Sequence, residues 1–198
     1  MRNGIVIYGG TFNPPHLAHK QLVEAVVNLG YEVLVVPNSQ SPLKTSPSVS
    51  GELRMKMLSI LLNGLTGTKI SDRDINRKGV SYMENTIKEV QIEHPGKPIS
   101  LLIGSDILCE LPRWKNFENW HKLVTFLIVP RKGHNTNKQV IKNLRINAEI
   151  LPLRTDISST EIRKLVALQK PITHLTGKEV ENIIVSSGIY QAQTQKDG

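Results

Sequence analysis

Cysteine and aromatic residues are both scarce in this chain, and each shortage excludes a class of protein. Cys109 is the only cysteine among 198 residues, which excludes an intrachain disulfide and a zinc site built from several cysteines. Phenylalanine, tryptophan and tyrosine together make up 5% of the sequence, and no arginine-rich run accompanies them. The aromatic platform on which single-stranded nucleic acids stack is therefore not evident. A reducing compartment fits this composition best.

Long hydrophobic runs are missing as well. No apolar stretch approaches the roughly 20 residues that a membrane-spanning helix needs. The N-terminus enters an apolar segment almost at once, without the basic and apolar regions of a secretion signal. We therefore expect a cytoplasmic protein that does not bind a membrane.

Positive charge predominates, with 25 lysine and arginine residues against 17 acidic ones and a formal net charge of +8. Such a balance attracts phosphorylated small molecules, nucleic acid and acidic lipids alike. Since the aromatic platform is not evident, we favour small anionic ligands and expect no nucleic acid partner. A basic RNA-binding module stays as an alternative that only the charge suggests.

Predicted strands and helices alternate along the chain. Apolar, β-branched segments predict four buried strands, at 5–8, 31–37, 99–103 and 126–129. A helix is predicted to begin at Pro14 and Pro15, whose φ is already set, and to end at Gly30. Further helices are predicted over 53–62 and after the capping boxes Ser81-x-x-Glu84, Ser158-x-x-Glu161 and Thr176-x-x-Glu179, with Gly188 ending the last.

This alternation predicts an α/β fold in which parallel strands are joined by right-handed crossovers. The hydrophobic content of 39% is sufficient for one core of ordinary size. We expect residues 1–190 to form a single domain and residues 191–198 a frayed tail. Residues 114–123 are predicted to be irregular or helical.

The segment Gly9–His19, GGTFNPPHLAH, connects the first predicted strand to the first predicted helix. Gly9 and Gly10 let the backbone approach a ligand closely. Free N–H groups and the positive end of the helix dipole favour an anion at the helix start. His16 and His19, three residues apart, project from nearly the same face. The pattern indicates a phosphate site and hence nucleotide chemistry.

A histidine pair at this spacing has two other interpretations. Zinc binding by metalloproteases uses histidines four apart with an intervening glutamate, and no third ligand is obvious in this sequence. Two polar residues on a solvated first turn are the ordinary alternative. The Gly-Gly-Thr turn after a buried strand favours phosphate, because imidazoles beside such a turn can donate hydrogen bonds to phosphoryl oxygens as charge develops.

A second anion site is predicted at residues 158–163, SSTEIR. The segment offers hydroxyls and helix N–H groups together with Arg163, which can clamp a phosphate. Taken alone it is a well-capped helix. Taken with the first motif, it could hold the remaining phosphates of the same ligand.

Over nearly its whole length the chain resembles the bacterial nicotinate-mononucleotide adenylyltransferases, in the nucleotidyltransferase superfamily with an HxGH-like histidine pair. The resemblance rests on an ordered set of motifs: GGTFNPPHLAH, SPLK, LRMKML, SYMENT, LIGSDIL, LPRW, VPRKG, ISSTEIR and a terminal SSGIY. It implies a Rossmann-like, doubly wound parallel sheet with helices on both faces.

The resemblance implies two groups of phosphate contacts. Around the first turn it places Gly9, Gly10, Thr11 and Phe12, with His16 and His19 as the catalytic pair that stabilises charge during transfer. It places Ser159, Thr160 and Arg163 on the opposite side of the triphosphate. It also implies that Lys44 reaches a phosphate from its loop. Mg²⁺ is implied as a cofactor carried mainly by the ATP phosphates, with no metal-binding residues in the protein.

Further contacts are implied for the two nucleosides. Gly104 and Asp106 belong to the GSD segment, whose carboxylate would bind ribose hydroxyls, and Trp114 would stack on the pyridine ring. Met83 stands where the family usually has threonine near the pyridine carboxyl, and Thr86 in the same helix start remains available. Ordinary alternatives are a solvated Lys44, a packing role for Trp114 and an N-cap role for Asp106. Arg54 and Arg131 are left open between a site role and a surface or ion-pair role.

The implied reaction transfers AMP from ATP to nicotinate mononucleotide, forming deamido-NAD and pyrophosphate. Nicotinamide mononucleotide is the nearest alternative acceptor, followed by phosphopantetheine or a cytidylyl transfer. A non-catalytic nucleotide sensor is a further alternative, which the intact histidines and SSTEIR disfavour. The oligomeric state stays open, with a homo-oligomer among the alternatives.

Overall fold

In the part of the chain that the structure describes, six strands form one parallel sheet at the centre. The computed structural model describes residues 3–42, 49–77, 79–131, 133–134, 136, 138–153 and 156–191. The strands are β1 (Ile5–Gly10), β2 (Glu32–Pro37), β3 (Thr68–Ile70), β4 (Ile99–Gly104), β5 (Thr125–Val129) and β6 (Asn147–Ile150). Lys44 and all but the first residue of the predicted tail 191–198 lie outside the described residues.

The strand order is β3-β2-β1-β4-β5-β6, and every pair is parallel. β1 pairs with β2 on one side, where Gly9 lies opposite Val36, and with β4 on the other, where Ile7 lies opposite Leu101. The chain therefore reverses its direction of travel across the sheet between β1 and β4. In open α/β sheets a ligand crevice forms at such a point, outside the carboxyl ends of the strands.

Helices connect the strands and cover both faces of the sheet. Their bounds are α1 (Leu17–Asn28), α2 (Gly51–Leu61), α3 (Arg73–Asn76), α4 (Met83–Glu93), α5 (Phe117–Trp120), α6 (Lys138–Leu144), α7 (Ser159–Ala167), α8 (Thr173–Thr176) and α9 (Lys178–Ser186). Short 3₁₀ turns occupy Ser105–Ile107, Leu111–Arg113 and His121–Leu123. None of the helices described is long and apolar enough to cross a membrane.

Successive residues of β1 point into two different cores. Val6 and Tyr8 belong to a core that includes residues of α1, α2, α7 and α9, whereas Ile5 and Ile7 belong to one that includes residues of α4 and α5. Because both faces are buried there, the four inner strands β1, β2, β4 and β5 are largely apolar rather than apolar at alternate positions. The predicted Rossmann-like α/β fold, doubly wound with helices on both faces, is confirmed.

The start of the first helix differs from its prediction. α1 begins at Leu17 with His16 as its N-cap, so neither Pro14 nor Pro15 is helical. A residue before proline is disfavoured in the α region, which applies to both Asn13 and Pro14 and moves the helix start beyond them. The predicted end is confirmed, since the N–H of Gly30 bonds to Val27 just after the helix.

Two of the three predicted capping boxes are wrong. Ser81 does not cap α4, because its hydroxyl accepts from the N–H of Ser39 at 3.0 Å and Tyr82 is the N-cap. Thr176 ends α8 and donates to the Ile172 carbonyl, so Gly177 is the N-cap of α9. Only the Ser158 cap forms, with its hydroxyl accepting from the N–H of Glu161.

Candidate active site

A cavity of about 640 Å³ opens at the carboxyl ends of β1 and β4. Eleven of the predicted site residues line it: Gly9, Gly10, Thr11, Phe12, His19, Gly104, Asp106, Trp114, Ser159, Thr160 and Arg163. They come from segments up to 154 positions apart in the chain, counted from Gly9 to Arg163. Tertiary structure therefore brings both predicted anion sites to one cavity. Neither His16 nor Thr86 lies on its wall.

The glycine turn, residues 9–11 at the end of β1, is closely packed against side chains. A Cβ atom on Gly9 would lie 2.8 Å from the methyl carbon of Met83, and one on Gly10 would lie 2.9 Å from the ring of Phe12. Phe12 has a positive φ of 49°. Its ring is only 3% exposed and meets the His19 ring edge-on at 4.9 Å. The Phe12 ring thus packs against the His19 ring and supports its position.

The two histidines are held against each other at the start of α1. The main-chain N–H of His16 donates to Nδ1 of His19 at 3.1 Å, and the two rings stack with centroids 3.6 Å apart. Because Nδ1 of His19 is an acceptor, its proton is assigned to Nε2, which becomes the donor. His16 is 2% exposed, and its Nδ1 is buried with no hydrogen-bond partner among the described residues.

Both imidazoles are neutral near pH 7. Burial lowers the pKa of His16 from 6.5 to about 3, with a further contribution from the positive charge of Arg131. The pKa of His19 also lies well below 6.5, because of burial first and then the charges of His16 and Arg131. Neutral rings can stack closely without charge repulsion. The site therefore offers a neutral N–H donor to a ligand.

The start of α7 is fastened to the segment that precedes the histidines. Ser159 donates its hydroxyl proton to the Pro14 carbonyl at 2.8 Å. Arg163 donates to the Asn13 carbonyl at 2.7 Å and to the Thr160 hydroxyl at 3.1 Å. The N-terminus of α7 and its arginine consequently face the same cavity as the glycine turn. A helix N-terminus and a guanidinium both favour a phosphate there.

Arg54 holds the glycine turn from inside the protein. Its guanidinium donates to the Thr11 carbonyl at 2.7 Å and to the Val49 carbonyl at 3.2 Å, and the residue is 1% exposed. Burial lowers its pKa. Burial excludes a surface role for Arg54, and these two hydrogen bonds go to carbonyl groups rather than to a carboxylate. A buried positive charge beside the turn instead stabilises the carbonyl and favours an anion nearby.

Arg131 and Asp106 form a charged pair on the cavity wall. Nε of Arg131 lies 3.5 Å from Oδ1 of Asp106, yet both atoms are buried without a hydrogen bond in the described structure. The main-chain N–H of Arg131 is fixed by the Ser105 hydroxyl at 2.8 Å. Gly104 makes room for the pair, since a Cβ there would collide with Oδ1 of Asp106. Buried polar atoms without a hydrogen bond are uncommon in folded proteins, which makes this pair a candidate contact for a ligand's polar groups.

The aromatic end of the cavity is fixed to the start of α4. Trp114 is half-buried, with its ring 6.1 Å from that of the buried Trp120. Lys115 places its ammonium 4.3 Å from the centre of the Tyr82 ring, and Asn116 donates to Glu84 at 2.7 Å. These contacts hold the Trp114 segment opposite the helix start. The flat indole face can receive a planar ring.

Thr86 occupies a different environment from the one predicted. It is fully buried and donates its hydroxyl proton to Oδ1 of Asp74 at 2.9 Å, contrary to the expectation that it contacts the mononucleotide. Asp74 also accepts from Arg77 at 2.6 Å and lines the cavity. An aspartate in the four-residue helix α3 carries little sequence signal, which is why Asp74 was not predicted as a wall residue.

The described residues contain no group of three or more histidine, cysteine or acidic side chains that could hold a metal ion. Three acidic residues of the described chain, Asp74, Asp106 and Glu110, line the cavity, and the two aspartates each lie beside an arginine. The donor set of the cavity is dominated by hydroxyls, N–H groups and guanidinium groups. Such donors suit phosphate oxygens rather than a cation.

Comparisons with known proteins agree with this geometry. A family model described as cytidylyltransferase-like matches residues 7–165. A solved structure of Plasmodium falciparum nicotinic acid mononucleotide adenylyltransferase complexed with NaAD is 23% identical, with a TM-score of 0.80 over 96% of this chain and 98% of that one. The same enzyme complexed with APC gives 23% identity and a TM-score of 0.77 over the same shares. At this identity the structural likeness establishes the fold.

Proposed function

Since the chain belongs to the cytidylyltransferase-like family, we propose that it transfers the AMP moiety of ATP to nicotinate mononucleotide. The products are nicotinate adenine dinucleotide and pyrophosphate, in NAD biosynthesis. One observation carries the proposal: the glycine turn with His19 and the start of α7 with Arg163 line the same cavity as Trp114. The structural relatives bound to NaAD and to APC support the same choice of ligands.

The reaction requires alignment of two anions more than a protein nucleophile. A 5′-phosphate oxygen of the mononucleotide attacks the α-phosphorus of ATP, a new P–O bond forms, and the bond to the leaving pyrophosphate breaks. A phosphate monoester is already nucleophilic near neutral pH, so no covalent enzyme intermediate is needed. The enzyme's contribution is to position both phosphates and to disperse the charge that builds between them.

His19 is the donor we place at the α-phosphate. Its Nε2–H is free to face the cavity because Nδ1 is already bonded to His16. A neutral donor strengthens its hydrogen bond as negative charge develops on the phosphoryl oxygen. His16 orients His19 through the main-chain bond and the stacked ring, and its own unpaired Nδ1 lies within the same turn.

The triphosphate is assigned to the opposite side of the turn. Ser159, Thr160 and Arg163 lie at the start of α7, where free N–H groups and a guanidinium meet the cavity. Asp106 and Arg131 are the groups we assign to the ribose hydroxyls and an adjacent phosphate. Mg²⁺ carried with the ATP would supply positive charge that neutralises the triphosphate and the departing pyrophosphate. Lys44, which lies outside the described residues, remains a proposed phosphate contact.

The pyridine ring is assigned to the space between Trp114 and the start of α4. An indole face stacks well on a planar ring. The N-terminus of α4 is not capped by a side chain, so its N–H groups favour a carboxylate. Met83 lines this space and cannot supply the hydroxyl that threonine would, which leaves main-chain N–H groups as the proposed partners.

Asp74 favours a second candidate acceptor, nicotinamide mononucleotide. Its carboxylate lies on the same cavity wall as Met83. A carboxylate accepts from a carboxamide N–H but repels the carboxylate of nicotinate. The ion pair with Arg77 at 2.6 Å offsets that repulsion, which is why nicotinate mononucleotide remains the first choice.

The decisive experiment supplies the protein with ATP, Mg²⁺ and either mononucleotide, and measures dinucleotide and pyrophosphate together. We expect both products in equal amounts, with the higher kcat/KM for nicotinate mononucleotide. A higher kcat/KM for nicotinamide mononucleotide would move the assignment to the second candidate. Binding of ATP without turnover of either acceptor would instead favour a nucleotide sensor.

A further inference from the structure

The terminal SSGIY segment returns to the phosphate turn, although the proposed reaction uses none of its residues. The hydroxyl of Tyr190 donates to Oδ1 of Asn13 at 2.5 Å, across 177 positions of the chain. Tyr190 is half-buried and does not line the cavity, whereas Asn13 does. Asn13 is thus the cavity-lining residue to which the Tyr190 hydroxyl is bonded.

The segment that precedes Tyr190 packs firmly against the core. Val180 and Ile184 of α9 are buried in the core that also contains residues of α1 and α2. The chain turns at Gly188, which has a positive φ of 62°, and Ile189 and Tyr190 then pack against that core. A hydroxyl held by such a well-packed segment can fix the position of the side chain to which it bonds.

Asn13 is bonded at both its main chain and its side chain. Arg163 holds its carbonyl at 2.7 Å, and Tyr190 holds its side chain. Burial raises the pKa of Tyr190, so its hydroxyl stays protonated and keeps its role as donor at neutral pH. His16, the N-cap of α1, follows only three positions later. The direction of the first turn of α1, and hence of His19, depends on how this short segment is held.

We propose that Tyr190 is a positioning residue, whose hydroxyl fixes the Asn13 side chain and thereby the turn that aims His19 at the phosphates. The catalytic part of this inference rests on the proposed adenylyl transfer. Tyr190 touches no reacting atom, so its loss should affect alignment of the reacting groups rather than acceptor binding. The measurable consequence is a fall in kcat without a matching rise in the KM for the mononucleotide.

The test variant is Tyr190→Phe, which removes the hydroxyl and keeps the ring. We expect kcat to fall roughly fivefold to tenfold, the size of one lost hydrogen bond in a partly buried site, with KM for the mononucleotide unchanged. Thr176→Val is the matched control, because it removes a buried hydroxyl from neighbouring α8 without touching Asn13. The control should lower Tm and leave kcat unchanged.

A double-mutant cycle identifies the route of the effect. If Tyr190 acts through Asn13, then Tyr190→Phe causes no further fall in kcat when it is added to Asn13→Ala. An equal fall in both backgrounds would overturn the proposal, as would wild-type kcat in the single variant. Equal losses of kcat in Tyr190→Phe and Thr176→Val would also overturn it, because general destabilisation would then explain both.

A spectroscopic measurement keeps this test separate from the proposed function. Histidine side-chain NMR titrations report the pKa and tautomer of His19 whether or not the protein transfers AMP. In Tyr190→Phe we expect the pKa of His19 to rise towards its ordinary value, as a loosened turn admits water. An unchanged titration would overturn the positioning role. Failure of the wild type to form dinucleotide with either acceptor would overturn the proposed function alone.

Discussion

The main-chain N–H of His16 donates to Nδ1 of His19 at 3.1 Å, while the two imidazole rings lie stacked 3.6 Å apart. One contact thereby satisfies the first N–H of the helix start and selects the tautomer of the second histidine. Spacing of three residues makes this possible, since the side chain of the third helical residue can reach back to the N-cap. Helix capping and the proposed catalysis thus depend on the same ring.

His19→Ala should reduce turnover far more than stability. Removing a donor from a developing oxyanion typically costs about 10²- to 10³-fold in kcat, whereas the lost bond to His16 costs about 1 kcal/mol of folding free energy. Steady-state kinetics and urea unfolding measure the two effects. His174→Ala, at an exposed position in α8, is the control and should change neither. Full adenylyl transfer by His19→Ala would refute the catalytic role.

Trp114→Ala should raise KM for the mononucleotide while leaving KM for ATP unchanged. Aromatic stacking on a heterocycle contributes about 1–3 kcal/mol, so an increase of roughly tenfold is expected. Trp114→Phe keeps a flat ring and should recover most of the loss. Initial-rate measurements with each substrate varied in turn make the comparison. The stacking role is wrong if KM for both substrates rises equally.

Gly104→Ala should impair nucleotide binding without straining the backbone. Gly104 has φ −79° and ψ 153°, which any residue can adopt. The added Cβ would collide with Asp106 Oδ1 and lie 2.9 Å from Arg131 Nε, so the charged pair must move. We expect at least about tenfold weaker binding of ATP by calorimetry, with Tm close to that of the wild type. Unchanged affinity would mean that the pair does not contact the nucleotide.

Acid should destabilise the protein through its neutral histidines. The pKa of His16 is about 3 in the folded protein and 6.5 ordinarily. Between these values the unfolded chain binds a proton that the folded chain does not. Stability is therefore greatest above about pH 6.5 and is lost as the pH falls towards 3, with about 2 kcal/mol lost at pH 5 for one such group.

His16→Asn tests this linkage, because asparagine is also a good N-cap but does not titrate in this range. Urea unfolding at pH 7.5 and pH 5.0 should show a smaller loss of stability on acidification in the variant than in the wild type. The same loss of stability in both proteins would contradict the lowered pKa of His16.

Features that depend on residues adjacent in the sequence were predictable. The apolar strands β1, β2, β4 and β5 were identified because burial on both faces leaves a continuous hydrophobic run. The edge strands β3 and β6 were missed, since Thr68–Ile70 and Asn147–Ile150 are short and partly polar and owe their conformation to pairing with β2 and β5. The helix α6 was also missed, because none of its described residues is buried and its apolar pattern is weak.

The sequence by itself determined the glycine turn, the histidine spacing, the Ser158 cap and the α/β class, because each depends on the order of nearby residues. Only the tertiary structure decided what those groups face. It buried Arg54 against the Thr11 carbonyl, placed Arg131 beside Asp106, turned Thr86 towards Asp74 and brought Tyr190 to Asn13. These partners lie 12 to 177 positions apart in the sequence, and the parallel sheet gathers the segments that follow β1, β4 and β5 at the carboxyl ends of the strands.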